Sequence, residues 1–584
     1  MIHSGREGEP EGKATRGLHP RHRVDDYLRR GWWTAQTLDQ TFRDQVAARG
    51  DATALVDPAN RRALVGSDPR RVSWNELESE VTHLAARLLE HGIGRGDVIG
   101  VQLPNSIELV EVYLAAWSIG AIVSPLAMQY REHEVVTMAN KANFAVMITT
   151  TEFGDRSPAA DVLAARDRMP ALRSVLTIGA AEEAADAGGS HIVPAPATER
   201  DRARIESRRA ADPNEPNDCV TICWTSGTEG EPKGVRRTHF DWIAFSVATI
   251  DAPRVTVADI LLNPFPMINM AAICGMLLPW LLTGATLVQH HPFDAATFFG
   301  QIATERVTYT IAPPALLWML LHNDELLSKI DLSSLTRIGS GSAPLQPAMV
   351  RGWQERFGLG VINFFGSNEG VALLSSPEDF PDPDDRARYF PRYGASGVTW
   401  SSRFAGRVDV KLVDVETGVE ITEAGRPGEL RIAGPNVFPG YVDGENLTSP
   451  FDDEGYLKTG DIFEIAGDRN QFLRYVDRGK DLIIRGGMNI APAELEGIIA
   501  EHPAVAEVAV VGDPDEVLGE RVAAVVVLRP GAELALAELV SFLRERKIAS
   551  FKLPERLEVR DLLPRNAVGK LLKRELRTRP TLTQ

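Results

Sequence analysis

Between Trp74 and Thr150 the spacing of apolar positions keeps switching. WNELESEVTHLAARLLEHGI (74–93) repeats them three and four apart, as one helix face does, while DVIGVQL (97–103) compresses them into a short strand-like run. SIELVEVYLAAWSIGA (106–121) returns to the helical pattern, and AVMITT (145–150) to the strand pattern. Strands alternating with helices predict parallel α/β layers. The alternation resumes from Asp259 to Gly366, with strands expected at DILLNPFP, ATLVQH, YTIAPP, LTRIGSG and GVINFFG. No fixed-period repeat underlies it.

After Gly406 the pattern changes to short β runs, VDVKLVD, GELRIAG and FLRYVDR, broken by TG, GRPG and DG turns. This predicts a small β-rich module on the α/β body. Beyond Asp477, PAELEGIIAEHP and ELALAELVSFLRERK read as helices, and VAEVAVVG and RVAAVVVL as strands. The expected architecture is α/β: a large N-terminal domain over 31–477, of layered parallel sheets plus the β module, and a smaller α+β C-terminal domain over 478–584. MINMAAICGMLLPWLLTGATLV, from Met267, is the most apolar long segment, but Asn269, Pro279 and Gly284 interrupt it. It is expected in a core rather than a bilayer, and no integral membrane segment is predicted.

Composition narrows the function classes. The 584 residues, 44% of them hydrophobic, exceed one ordinary core. With 63 basic against 80 acidic residues the formal charge is -17, which argues against a nucleic-acid partner or an anionic membrane surface. Cys219, Cys223 and Cys274 form neither a disulfide framework nor a zinc site. Residues 1–30 begin with a polar, Gly- and Pro-containing stretch without the apolar core of a signal peptide, and read as a flexible tail on a cytoplasmic protein.

WTSGTEGEPKGV (224–235) carries the first chemistry. Gly227, Gly230 and Gly234 allow a tight turn with inward N–H groups, Thr225, Ser226 and Thr228 add hydroxyls, and Lys233 adds a cation. Such a loop suits phosphate oxygens. Lys233 is followed by Gly234 rather than by a hydroxyl residue, so this is not a Walker A loop. Taken alone, the stretch reads more readily as a solvated Gly/Ser turn, and only the strings that follow change that. Further strings follow in order: GSAPL (341–345), FFGSNEG (364–370), GELRIAGPNVFPGY (428–441), YLKTGD (456–461), DRGKDLIIRGGMNIAPAELE (477–496) and PRNAVGK (564–570).

This ordered set resembles the adenylate-forming superfamily, in its AMP-dependent acyl-CoA synthetase branch, and the resemblance covers nearly everything after the first thirty residues. It implies ATP, Mg2+ and coenzyme A as ligands: a monocarboxylic acid becomes an acyl-AMP with release of pyrophosphate, and the acyl group then passes to coenzyme A. It assigns the β and γ phosphates to the loop from Thr225 to Lys233, adenine to Phe365 and magnesium to Glu369. Gly341, Ser342, Ala343, Pro344, Phe364, Gly366, Ser367 and Asn368 join the nucleotide set. Asp461 takes the ribose hydroxyls, which need two acceptor oxygens on one side chain, and Arg478 contacts the nucleotide. Phe365 reads equally as a core aromatic, while for Arg478 the weaker competing reading is an exposed ion pair with Asp477.

Lys570 is assigned the adenylation chemistry, with Glu369 and Lys233 beside it as catalytic residues. A carboxylate attacking a phosphate brings two anions together, and a cation between them stabilises the transition state more than the reactants. The second step needs room for a pantetheine arm, which the family provides by rotating the C-terminal domain. Lys480 matches the hinge position, and Gly486 and Gly487 a loop on the coenzyme A side. The acyl pocket is assigned to Asn269, Met270, Gly341 and Ser367, with a fatty, alicyclic or aromatic acid as substrate. A homodimer is compatible with the resemblance.

Four positions depart from the family pattern. Glu229 replaces a common Thr and is expected to point outward, Asn368 replaces a Thr but keeps an amide donor, and Phe365 replaces a Tyr. Asn269 stands where an aromatic or His is frequent and predicts a roomier, less basic pocket. Two rival readings differ in outcome: an aryl-acid adenylating enzyme loading a carrier protein in trans, and a catalytically silent nucleotide-binding relative.

Overall fold

The computed structural model describes residues 15–178, 190–226, 232–442, 449–479, 481–485, 488–515, 518–546, 548, 550–566 and 571–577. Both alternating stretches become parallel sheets. One has eight strands in the order Ala372–Ser375, Gly360–Gly366, Arg337–Gly341, Tyr309–Ile311, Ile260–Asn263, Thr286–Gln289, Thr53–Val56 and Arg71–Ser73, parallel except at its two edge pairs. The other has seven: Ser190–Ile192, Ser174–Ile178, Phe144–Thr149, Val98–Gln102, Ile122–Pro125, Cys219–Ser226 and Pro232–Thr238, the last two forming an antiparallel hairpin at one edge.

One helix ties the two sheets together. All 13 residues of Ile107–Ile119 are buried. The Tyr113 hydroxyl donates to Met267 O at 2.8 Å, just beyond a strand of the first sheet, and the Trp117 indole donates to Val220 O at 3.2 Å, within a strand of the second. Burial takes Glu108 inside with the apolar residues, and an unpaired carboxylate there would be costly. Arg61 supplies the partner, with two 2.7 Å bonds to Glu108 and one of 2.8 Å to Asp57.

The β-rich module is an antiparallel sheet of six strands, Tyr389–Pro391, Phe472–Arg478, Leu457–Ala466, Pro427–Ala433, Asp409–Val413 and Glu420–Ile421. Beyond it, Gly519–Leu528 pairs with Val505–Asp515, Ile483–Arg485 and Arg556–Val559. The helices Pro492–Ile499 and Leu536–Glu545 cover this last sheet through a separate core containing Ile483, Leu495, Ile499, Val510, Val522, Leu539 and Leu543. A unit with its own core is what a separate C-terminal domain requires.

The apolar segment from Met267 lies in the core, with a π-helical turn at Ile273–Leu277 running into the helix Leu278–Thr283. Among the described residues no helix is long and apolar enough to cross a membrane. All three cysteines are free and buried.

Residues 15–30 differ from the expected tail. Arg21–Arg29 is helical, and His19 is 2% exposed with Nε2 3.2 Å from Asp241 Oδ2. Arg23 donates to Gly434 O at 2.8 Å, and the Trp33 indole, stacked on Phe240, donates to Pro435 O at 3.0 Å. Local composition shows a polar segment. What fixes it is a set of partners some 200 to 400 positions away in sequence.

Candidate active site

The candidate residues lie on, or just beyond, strands of three different sheets. Arg337–Gly341 and Gly360–Gly366 are parallel neighbours, paired Gly341 to Phe364, so GSAPL and FFGSNEG emerge side by side from the same carboxyl edge. Ligands of α/β sheets bind in the crevice at such edges. The two strands approach closely because position 341 lacks a side chain: a Cβ there would meet the Phe364 carbonyl. Ser342, Ala343 and Pro344 are exposed beyond the strand end.

Glu369 sits on a tight turn in which Gly370 N donates to Ser367 O at 3.1 Å and Ser367 N to Val371 O at 3.1 Å. Gly370 has φ +128°, and a Cβ there would strike the backbone of Asn436 and Val437. Only glycine suits both demands. The 434–438 segment packs into that space, with Phe438 N donating to Glu369 O at 3.0 Å and the Asn436 amide donating to Gly370 O.

Arg237 joins these two segments. Its guanidinium, 0% exposed, donates through Nε to Asn368 O at 2.9 Å, through Nη2 to the same oxygen, and through Nη1 to Asn436 O at 2.6 Å. Its charge lies 4.9 Å from the ring centroids of both Trp242 and Phe245. Burial pushes its pKa down against the pull of Asp241, whose Oδ1 is 4.0 Å away. Arg237→Met keeps the apolar stem but strands two buried carbonyls, which is expected to cost about 3 kcal/mol. Calorimetry should show the melting temperature falling by several degrees; an unchanged one would contradict this role.

The described ends of the glycine-rich stretch lie on the paired strands Cys219–Ser226 and Pro232–Thr238, with Thr225 opposite Lys233 and Ser226 opposite Pro232. Thr225 Oγ1 is 3.5 Å from Lys233 O. Gly227, Thr228, Glu229 and Gly230 lie outside the described residues, as do Lys480, Gly486, Gly487 and Lys570. Lys233 is described: its Nζ stands 5.5 Å from the centroid of the Tyr441 ring. The Tyr441 hydroxyl in turn donates to Glu369 Oε1 at 3.1 Å. Burial first, and then the charge of Glu369, push the Tyr441 phenol up, so it stays a donor.

Asp461 and Arg478 face each other on neighbouring antiparallel strands, with Arg478 Nε 3.0 Å from Asp461 Oδ1. The side-chain ion pair of Arg478 is with Asp461, not with Asp477. Burial lowers the Arg478 pKa, but the charge of Asp461, with those of Glu369 and Asp481, outweighs it and the net direction is upward. Phe365 is half-buried, edge-on to Phe463 at 5.0 Å and tilted against Tyr475 at 5.3 Å. Those rings are carried by the strands of Asp461 and Arg478, so the aromatic cluster ties FFGSNEG to the Asp461–Arg478 pair.

The proposed acyl side shows two polar side chains engaged locally. Asn269 Oδ1 accepts from Ala271 N at 3.0 Å and caps the turn Met270–Ala272. Asn368, expected as a phosphate donor, is buried, and its Oδ1 accepts from Met270 N at 2.7 Å. Gly366 lies against the Met270 side chain, whose Cε would be 2.7 Å from a Cβ at that position. Met270 and the Gly366–Asn368 segment are therefore held as one wall.

The donor set fits a hard cation of the magnesium type. Among the described residues no group of three or more His, Cys, Asp or Glu could hold a metal ion. One carboxylate, with a lysine such as Lys233 nearby for the phosphates, is an arrangement in which phosphate oxygens and water complete the shell. Reasoning from sequence singled out Glu369, Lys233, Asp461 and Arg478, but gave no role to Tyr441, Arg237 or Asn436. Tyr441 and Asn436 both lie inside GELRIAGPNVFPGY, and that string was the available signal.

Comparison with known proteins agrees in extent. The profile described as AMP-binding enzyme matches residues 42–442, and that of the AMP-binding enzyme C-terminal domain matches residues 494–570. A medium-chain fatty-acid–CoA ligase of Escherichia coli (strain K12) is 30% identical over 559 residues, spanning 94% of this chain and 92% of its own. A 3-[(3aS,4S,7aS)-7a-methyl-1,5-dioxo-octahydro-1H-inden-4-yl]propanoyl:CoA ligase of Mycobacterium tuberculosis is 32% identical over 523 residues, spanning 88% of this chain and 95% of its own. Among solved structures, ATP-bound MatB from Rhodopseudomonas palustris superposes with a TM-score of 0.73 at 26% identity, covering 93% of this chain and 98% of that one. With both domain profiles matched in order and relatives aligned along nearly their whole length, the chain belongs to the AMP-binding enzyme family, the adenylate-forming superfamily, in its acyl-CoA ligase branch.

Proposed function

We propose that the protein is a cytoplasmic, AMP-forming acid–CoA ligase acting on an apolar monocarboxylic acid. The acid's carboxylate oxygen bonds to the α-phosphorus of ATP as the bond to pyrophosphate breaks. The thiolate of coenzyme A then bonds to the acyl carbon, and AMP leaves. The observation that carries this reading is the convergence of Glu369 and Lys233 on one side chain, Tyr441, at the sheet edge beside the Phe365 cluster. Glu369 would hold magnesium together with phosphate oxygens, Lys233 and the Thr225–Lys233 loop the departing pyrophosphate, and Asp461 with Arg478 the nucleoside. Relatives named for a medium-chain fatty acid and for a bicyclic propanoate support an apolar acid.

The test is a panel of fatty, alicyclic and aromatic acids, each scored for acid-stimulated ATP–pyrophosphate exchange and for release of CoA thioester. Both signals with the same acid establish the reading. Exchange without thioester would instead favour a carrier protein as acceptor, and no exchange with any acid a silent nucleotide-binding relative.

The two half-reactions ask for different arrangements of the 478–584 unit, with Lys480 as its hinge. Three described hydrogen bonds span that position: Asp481 N and Leu482 N donate to Arg478 O at 2.8 and 3.2 Å, and Ala493 N, at the start of the helix Pro492–Ile499, donates to Asp477 Oδ2 at 3.0 Å. Lys480→Pro fixes one backbone angle there. Exchange and thioester formation from preformed acyl-AMP should then fall unequally, one by at least about tenfold more than the other. Equal loss of both would discard the hinge.

A further inference from the structure

Tyr441 touches two groups that the proposed chemistry needs, and it comes from neither of their loops. Its position is set by the backbone. Val442 N donates to Gly234 O at 2.8 Å, Tyr441 bridges to Val235, and the Arg236 Nε donates to Gly440 O at 3.3 Å. The 440–442 segment is thus fastened along the hairpin strand that carries Lys233, while Phe438, three residues earlier, is fastened to the Glu369 turn. The Tyr441 ring lies edge-on to Phe438 at 4.8 Å, which limits its rotation.

Two physical consequences follow. A phenol O–H on Glu369 Oε1 fixes the carboxylate plane and leaves Oε2 as the oxygen available to a hard cation; among the described residues this is the one hydrogen bond the Glu369 side chain makes. The ring face attracts the Lys233 ammonium and draws it toward the same space, which a flexible four-carbon stem does not do unaided. Lys233 and Glu369 each contact Tyr441 and, among the described residues, form no ion pair with each other, so the two opposite charges remain available for a metal–phosphate ligand.

We propose that Tyr441 is a positioning residue for the metal–nucleotide complex, orienting Glu369 through its hydroxyl and Lys233 through its ring. This rests on the reading of Glu369 and Lys233 as ligands of the metal and the phosphates. It separates the two functions of one side chain: the hydroxyl serves the cation, the ring serves the phosphate.

The experiment measures calorimetric binding of Mg·ATP, and of ATP in excess chelator, without any acid present. Tyr441→Phe keeps the ring and removes the hydroxyl. It should weaken Mg·ATP binding about tenfold and leave metal-free ATP binding and the melting temperature unchanged. Tyr441→Leu should in addition weaken metal-free ATP binding about threefold. In a Glu369→Gln background, Tyr441→Phe should cost little more, because the cation ligand it orients is already impaired.

Wild-type affinity for Mg·ATP in Tyr441→Phe would overturn the proposal. So would equal weakening with and without metal, or full additivity with Glu369→Gln. Absence of Mg·ATP binding by the parent enzyme would overturn the functional reading itself, which is a separate and recognisable outcome.

Discussion

Lys570→Ala is expected to lower acid-dependent ATP–pyrophosphate exchange by about 10²–10³-fold, the usual cost of deleting one preorganised transition-state charge. The reason is local to the first half-reaction. As the carboxylate oxygen nears the α-phosphorus, negative charge gathers on entering and leaving groups, and a lysine ammonium there is worth more than in the separated reactants. The second half-reaction has no such need, since a thiolate attacks a carbonyl whose leaving group is already good. Thioester formation from chemically prepared acyl-AMP should therefore run at close to the parent rate in the same variant. Exchange at full speed would remove Lys570 from the chemistry, and equal loss of both steps would make its role structural.

The sequence made the frame of this molecule legible because a frame is local. The strand runs 97–103, 145–150, 259–266, 285–290 and 360–366 each carry their own burial pattern, and each becomes a strand of a parallel sheet. The helical reading of 106–121 is also met, but its two glutamates gave no hint that the whole helix would be buried. What neutralises Glu108 is Arg61, 47 positions earlier, and no periodicity reports that.

The same limit explains what the motif strings did and did not give. FFGSNEG and YLKTGD supplied Glu369 and Asp461 because their chemistry lies in the string itself. Arg237 was invisible as a clamp because its acceptors are 131 and 199 residues away, in Asn368 and Asn436. The segment before Trp33 read as a tail for a related reason: its composition is polar, and its anchors are the Asp241 carboxylate and the carbonyls of Gly434 and Pro435. Those carbonyls belong to the segment that supports the Glu369 turn. Residues 15–33 therefore brace the back of the site, and the turn is held from three directions: by the N-terminal segment through 434–435, by Arg237, and by Tyr441.

Glu369→Gln is the prediction in which this bracing matters most. Gln keeps an oxygen for the Tyr441 hydroxyl and preserves the side-chain length, and the turn is held by backbone bonds that the substitution leaves alone. Stability should therefore change little, with a melting temperature close to the parent's. Chemistry should change greatly, because a neutral amide is a poor ligand for a hard divalent cation, and charge that built up on the phosphates would lose its counterweight. The expected fall in kcat/KM for Mg·ATP is about 10²-fold or more, which is about 3 kcal/mol or more of transition-state stabilisation. It should be partly restored by raising the magnesium concentration, as weakened cation binding demands. A loss of activity indifferent to magnesium, or one matched by a collapse in melting temperature, would show that the carboxylate supports the turn rather than the metal. A variant as active as the parent at limiting magnesium would take Glu369 out of the site altogether.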